Sequence, residues 1–130
     1  MRKAWLLLVP LVVGGCQSTN SGRFSTTVPI DEERTVARYY SLHEDCTSYG
    51  PAVVRVTNQP AHGTVSIRDG RDYPYYPTSN PRNACNRQSV PMTLVYYRAA
   101  AGYSGLDGFA VDAILASGVN RQEHINITVK

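Results

Sequence analysis

Cys16 is the residue whose position carries the most specific chemistry in this sequence. It follows two basic residues, Arg2 and Lys3, an apolar run over residues 4–13 and two glycines. A positive start, a short apolar stretch and a small-residue cleavage region are the three parts of a secretory signal. An apolar run of about ten residues is too short for a membrane-spanning helix, which needs about twenty. The sequence therefore predicts an exported chain whose signal is cleaved next to Cys16.

The segment Val13-Gly14-Gly15-Cys16 resembles the lipobox of bacterial lipoproteins, an aliphatic residue and two small residues before an obligatory cysteine. The resemblance implies that residues 1–15 are a lipoprotein signal peptide and that Cys16 becomes the lipidated N-terminus, with palmitate as an expected acyl chain. Two or more acyl chains give stable anchoring. Gln17, in place of an aspartate, favours the outer membrane over the inner one, with the protein on the periplasmic face. The alternative is an ordinary signal peptide cut near Gly15, with no lipid.

Cys46 and Cys85 are the two remaining cysteines. In an exported chain such a pair predicts a disulfide. A disulfide that closes a loop of about 40 residues would stabilise the fold by about 4 kcal/mol, because it lowers the entropy of the unfolded chain. A metal or redox site is the alternative, but the pair lacks a CxxC spacing and Cys85 has no histidine close to it in sequence.

The sequence contains no GxSxG, HExxH, P-loop or dinucleotide-binding motif. The histidines, His43, His62 and His124, fall in different predicted segments. We therefore predict no enzyme activity, no catalytic residues and no cofactor. The acidic clusters at residues 31–33 and 44–45 suggest a calcium site as an alternative. They lack the alternating ligand pattern of a calcium loop, so a solvated charged surface without a metal is the prediction.

Residues 72–85, DYPYYPTSNPRNAC, have the most unusual composition in the chain, with three tyrosines and three prolines before Cys85. Tyrosine offers a rigid contact surface with a polar tip, which suits recognition of proteins or glycans. We name Tyr73, Tyr75, Tyr76 and Arg82 as a possible binding loop. The alternative is that the loop folds back over an open edge of the domain and packs its tyrosines on the sheet.

The remaining chain consists of short alternating segments separated by turn residues. In the last of them Ile125, Ile127 and Val129 alternate with polar residues, as in a half-buried strand. Turns are predicted at residues 49–51, 58–60, 69–70, 102–105 and 117–118. The predicted strands cover residues 35–42, 52–57, 63–67, 92–98, 108–115 and 123–129. This spacing predicts an all-β sandwich.

Two segments resemble the bacterial Ig-like, cadherin-like repeats of surface and secreted proteins. They are Pro60-Ala61-His62-Gly63-Thr64-Val65 and residues 95–109, VYYRAAAGYSGLDGF, followed by the strand at residues 125–129. The resemblance covers residues 53–129 and implies a single Ig-like Greek-key sandwich, with Tyr97 and Phe109 in the core. Asp107 would cap backbone amides in the adjoining turn. The chain departs from the pattern at Ala99, where proline is usual, and at Leu106 and Gly108, where small hydroxyl residues are usual.

The domain boundaries follow from these segments. Residues 16–27 are polar and are predicted to be the lipidated cysteine and a flexible tether, and residues 28–130 the single domain. Of the 13 Lys and Arg, two lie in the signal, so 11 remain against 10 Asp and Glu. This near-neutral balance argues against a nucleic-acid partner.

We therefore predict a lipid-anchored binding or structural module of the cell envelope, with an envelope protein or a glycan as its partner. Two alternatives are an accessory subunit of a secretion or surface-assembly apparatus, and an enzyme or enzyme inhibitor acting on envelope polymers.

Overall fold

Seven β-strands and one short 3₁₀ helix make up the described part of the chain, Gly14 and residues 20–130, in a computed structural model. The elements are β1 (Asn20–Val28), β2 (Glu33–Tyr39), β3 (Val53–Asn58), β4 (Gly63–Asp72), the 3₁₀ helix (Pro81–Arg87), β5 (Val90–Ala99), β6 (Gly105–Ile114) and β7 (Asn120–Val129). No helix within residues 20–130 is long and apolar enough to cross a membrane. The predicted lipobox and Cys16 lie outside the described residues, apart from Gly14.

The strands form two sheets that pack face to face. The four-stranded sheet has the order β1-β7-β6-β3, and the three-stranded sheet has the order β2-β5-β4. The pairing of β1 with β7 is parallel, and every other pairing is antiparallel. This distribution of consecutive strands between two sheets is the immunoglobulin-like Greek key. The predicted fold class, an all-β sandwich, is therefore confirmed, and all six predicted strands are present.

The main core lies between the two sheets and follows the alternation visible in the sequence. Phe109 and Val111 on β6 and Ile125 and Ile127 on β7 point inward and are almost completely buried. Tyr97 on β5 lies opposite Phe109, with stacked rings whose centroids are 6.3 Å apart. Both aromatic residues have no exposed surface, so their predicted place in the core is confirmed.

β5 is buried on both of its faces, which divides the apolar residues into two cores. Val95 and Tyr97 face the main core, whereas Met92 and Leu94 face a second core on the outer side of the three-stranded sheet. The segment between β4 and β5 covers this outer side. Cys85 is completely buried there and forms the predicted disulfide with Cys46, with 5.4 Å between their Cα atoms.

The predicted tether over residues 16–27 is wrong from Asn20 onward, because residues 20–28 form β1. The strand pairs with β7 over its whole length, and its Phe24 packs against the main core. Val28 at its end is completely buried. A polar segment can be a strand when its backbone completes a sheet, since backbone hydrogen bonds need no apolar periodicity. The described domain therefore begins at Asn20 rather than at Val28.

Candidate functional site

A groove lies at the end of the sandwich where β2, β4 and β6 finish and β7 begins. We call it the arginine–tyrosine groove, and its volume is about 480 Å³. Three segments form its walls: the chain after β2, the segment between β4 and β5, and the turn from β6 into β7. The charged and aromatic side chains that line it are Arg38, Tyr40, Tyr49, Tyr75, Tyr76, Arg82 and Arg121.

Tyr40 holds the loop that forms one wall of the groove. Its hydroxyl accepts a hydrogen bond from the Tyr75 amide at 2.8 Å and donates one to the Tyr75 carbonyl at 3.0 Å. The ring of Tyr76 meets the ring of Tyr40 edge-on, with 5.6 Å between centroids. One side chain from the end of β2 therefore fixes both the backbone and an aromatic ring of the β4–β5 segment.

Two asparagines fix the same loop from the side of the 3₁₀ helix. The side-chain oxygen of Asn86 accepts a hydrogen bond from the backbone amide of Tyr76 at 2.9 Å. The side-chain NH₂ groups of Asn83 and Asn86 donate to the Tyr76 carbonyl at 2.8 and 2.9 Å. The helix itself begins at Pro81, with Asn80 accepting from the Arg82 amide at 2.9 Å. These contacts and the adjacent disulfide give the loop a defined backbone conformation.

The three arginines of the groove are held in different ways. Arg38 donates to Asp72 at 2.7 Å, and this contact together with the Tyr73 amide lowers the pKa of the Asp72 carboxyl. The Nε of Arg82 donates to the Leu42 carbonyl at 2.6 Å, which orients its guanidinium without neutralising it. Among the salt bridges of residues 20–130, neither Arg82 nor Arg121 takes part. No carboxylate oxygen of the described residues therefore lies within salt-bridge distance of either guanidinium.

The tyrosines of the predicted binding loop divide between packing and exposure. Tyr75 is 81% exposed and Tyr73 is 60% exposed, whereas Tyr76 is partly buried against the second core. The loop thus covers the outer face of the three-stranded sheet, not an open edge, and still presents two aromatic rings to solvent. The structure brings Tyr75, Tyr76 and Arg82 to one groove and places Tyr73 at the end of β4 outside its lining.

A partly buried hydrogen bond joins the two sheets next to the groove residues Arg38, Tyr40 and Arg121. The hydroxyl of Tyr39, on β2, donates to the carboxylate of Glu123 on β7. Burial of Tyr39 raises the pKa of its phenol, and the contact with Glu123 raises it further, so the phenol is protonated at neutral pH. Arg121, Glu123 and Ile125 alternate along β7 and therefore point to the same side of the strand. Ile125 lies in the core, whereas the two charged residues lie at the end of the sandwich next to the groove.

The histidines are distributed over separate parts of the domain. His43 stacks on Tyr49 at 3.6 Å beside the groove, and His62 stacks on Tyr103 at 4.2 Å at the opposite end. His124 lies on the outer face of the four-stranded sheet, next to Gly108.

The residues of the two acidic clusters form ion pairs and turn contacts. Glu33 pairs with Arg68 through two contacts of 2.8 Å, Glu32 pairs with Arg34, and Asp45 accepts from the amide of Thr47 at 3.0 Å. Within residues 20–130, no group of three or more His, Cys, Asp or Glu is arranged to hold a metal ion.

Asp107 joins the two segments that carry the sequence resemblance. Its carboxylate accepts hydrogen bonds from the amides of Ala61 and His62 at 3.0 and 3.1 Å and from the Tyr97 hydroxyl at 2.6 Å. Asp107 also accepts a hydrogen bond from the adjoining amide of Gly108 at 2.9 Å. In the predicted turn at residues 102–105, the Gly102 amide donates to Asp31 at 2.9 Å and not to Asp107. The resulting cluster lies at the far end of the sandwich from the groove.

No family model matches this chain, and no curated protein matches it. Among solved structures, the solution structure of Amebosin matches with a TM-score of 0.40 and 6% sequence identity, covering 87% of this chain and all of the other. PbICP-C, solved in complex with falcipain-2, matches with a TM-score of 0.34 and 10% identity, covering 91% of this chain and 96% of the other. Likenesses this distant carry no argument about what the protein binds.

Proposed function

We propose that the protein is a non-catalytic binding module of the bacterial cell envelope, anchored by a lipid on Cys16, whose binding surface is the arginine–tyrosine groove. The observation that carries this proposal is the position of Arg82 and Arg121 beside the exposed ring of Tyr75, in a groove of about 480 Å³. Arginine and tyrosine are enriched among the residues that dominate binding surfaces.

The lining selects the chemical class of ligand. Arginine forms forked hydrogen bonds with a carboxylate or a phosphate, and tyrosine offers a flat apolar ring with a hydroxyl at its edge. A ligand that presents an anionic group next to an apolar or sugar-like face satisfies both. Most residues that line the groove are polar, charged or aromatic, and its aliphatic residues are Leu42, Leu115 and Val119. This composition argues against a purely hydrophobic partner.

The groove is also prepared for binding before a ligand arrives. Tyr40, Asn83 and Asn86 fix the backbone at Tyr75 and Tyr76, and the disulfide fixes the end of the segment at Cys85. Binding therefore orders few additional groups, which lowers the entropic cost of association.

The test is photo-crosslinking in cells, with a benzophenone amino acid in place of Tyr75. The matched control carries the same group in place of Leu106, which is 75% exposed at the opposite end of the domain. We expect an adduct from position 75 that is absent from position 106, and we expect Arg82→Gln with Arg121→Gln to reduce it. Equal labelling from the two positions would reject the groove as the binding surface.

A further inference from the structure

The parallel pairing of β1 with β7 places the N-terminal end of the domain at the groove. Asn20 at the start of β1 pairs with Arg121, which lines the groove. Cys16 precedes Asn20 by four residues, so a fully extended chain separates their Cα atoms by about 14 Å at most. A domain anchored through Cys16 therefore has the groove end, and not the Asp107 end, next to the membrane surface.

Most of the exposed large apolar and aromatic side chains of residues 20–130 lie at this same end. They belong to the start of β3, the end of β6, the chain after β2, the start of the β4–β5 segment and the β6–β7 turn. These residues are Tyr49, Val53, Tyr73, Tyr75, Ile114 and Val119. Tyrosine is enriched at membrane–water interfaces, because its ring suits the acyl boundary and its hydroxyl suits the headgroup layer.

The charges at this end suit a phosphate. Asp72 is paired with Arg38, whereas neither Arg82 nor Arg121 forms a salt bridge with any described residue. The carboxylate of Glu123, on the same face of β7 as Arg121, accepts a hydrogen bond from the Tyr39 hydroxyl. Basic residues close to an anionic lipid surface favour association with it. A phospholipid headgroup presents a phosphate directly above an apolar layer, which is the combination that the groove and its exposed tyrosines can contact together.

We infer that the groove end lies on the membrane and that the arginine–tyrosine groove takes the headgroup of an anionic phospholipid. This inference rests on the proposed function, because it needs both the lipid on Cys16 and the groove as the binding surface. It narrows the ligand of that groove to a component of the membrane that holds the anchor.

The experiment uses single-tryptophan variants of the acylated protein. The only tryptophan of the chain is Trp5, within the predicted signal, so the processed protein would contain none. Tyr75→Trp reports on the groove end, and Leu106→Trp reports on the opposite end as the matched control. Both proteins are reconstituted into vesicles of phosphatidylcholine, with or without phosphatidylglycerol, that contain a phospholipid spin-labelled on its headgroup.

We expect the spin label to quench the fluorescence of Tyr75→Trp several-fold more strongly than that of Leu106→Trp, with a further gain when phosphatidylglycerol is present. Arg82→Gln and Arg121→Gln are each added separately to the Tyr75→Trp protein. Each should lower the additional quenching caused by phosphatidylglycerol by about fivefold, which corresponds to about 1 kcal/mol per basic residue. Circular dichroism of each variant confirms that the sandwich is folded. Equal quenching at the two positions, in vesicles that retain the protein, contradicts the inference.

The two proposals fail differently. A protein that does not float with the vesicles lacks the lipid anchor, and the proposed function falls with it. If the protein floats, Tyr75→Trp is not preferentially quenched and the benzophenone at position 75 captures a protein or a glycan, then the binding module stands and the headgroup assignment is wrong. A phospholipid adduct at position 75 supports both.

Discussion

The phenol oxygen of Tyr97 lies 2.6 Å from Oδ2 of Asp107, and the same carboxylate receives the amides of Ala61 and His62. β5, β6 and the β3–β4 loop are thereby joined at one side chain. Tyr97 itself has no exposed surface, so its hydroxyl depends on Asp107 for a hydrogen-bond partner. This cluster organises the end of the domain opposite the groove.

Asp107→Ala should lower the free energy of unfolding by about 2 kcal/mol, because it leaves the buried Tyr97 hydroxyl unpaired. Tyr97→Phe removes the other partner and should cost about 1 kcal/mol, since the carboxylate retains its amide donors. Urea denaturation of both variants and of the double variant measures these values. Additive effects in the double variant would show that the two residues are not coupled.

Acid should destabilise the domain partly through Asp107. Burial raises the pKa of this carboxyl, but hydrogen bonds from Tyr97, Gly108, Ala61 and His62 outweigh burial and hold the pKa below its ordinary value. A lowered pKa in the folded state contributes stability above the ordinary value, and this contribution is lost as the pH falls through the folded pKa. The difference in unfolding free energy between wild type and Asp107→Asn should therefore narrow from about pH 5 to about pH 2. A constant difference over this range contradicts the assignment.

Removal of the disulfide should destabilise the domain by about 4 kcal/mol, because Cys46 and Cys85 are separated by 39 residues and their bridge restricts the unfolded chain. The Cys46→Ser and Cys85→Ser double variant should also become sensitive to trypsin at Arg82 and Arg87, in the 3₁₀ helix that the bridge holds against the second core. Mass spectrometry of the first fragments identifies the cleavage sites. First cleavage elsewhere would show that this segment keeps its position without the bridge.

Gly63→Ala should strongly destabilise the fold. A Cβ at this position would lie 2.6 Å from the carbonyl oxygen of Arg98 and 2.6 Å from the Tyr97 ring, so the β4–β5 pairing would have to shift. We expect a loss of about 3 kcal/mol in unfolding free energy. Gly22→Ala is the matched control, because its Cβ would meet only the Glu123 side chain at 3.4 Å. Thermal unfolding of the two variants compares them directly, and a similar loss in both would contradict the steric argument.

Cys16→Ser should prevent lipidation and normal processing, because serine has no thiol to accept the lipid. We expect the protein to accumulate in an uncleaved or soluble form, measured by membrane fractionation and by the mass of the product. Gln17→Ser is a matched control beside the same site and should leave processing unchanged. Normal cleavage and membrane retention of Cys16→Ser would contradict the lipobox assignment.

The strands that bury side chains were predictable from the sequence, whereas the strand held mainly by its backbone was not. β6 and β7 alternate apolar and polar residues, and their positions follow from that period. β1 has few apolar residues and no clear alternation, and it is a strand because its backbone pairs with β7. β4 extends beyond the predicted turn at Gly70, where a Cβ would lie 2.8 Å from Leu94 Cδ1. Glycine there provides space within a strand rather than a turn.

The groove was only partly predictable for a different reason. Tyr75, Tyr76 and Arg82 lie in one segment of unusual composition and could be named from it. Arg38, Tyr40, Tyr49 and Arg121 come from other segments, and only the sandwich topology brings them together. One pattern could have indicated Arg121: polar residues continue the inward phase of β7 where the two sheets separate.

The parallel ladder between β1 and β7 has a mechanical consequence. Its nine residue pairs run from Asn20 and Arg121 to Val28 and Val129. Tension applied between Asn20 and Val129 acts along both strands in opposite directions, so it shears the hydrogen bonds together instead of opening them one after another. The domain should therefore resist a force that pulls Asn20 and Val129 apart. Its rupture force in single-molecule stretching should exceed that of a β-hairpin whose two strands are pulled apart one hydrogen bond at a time.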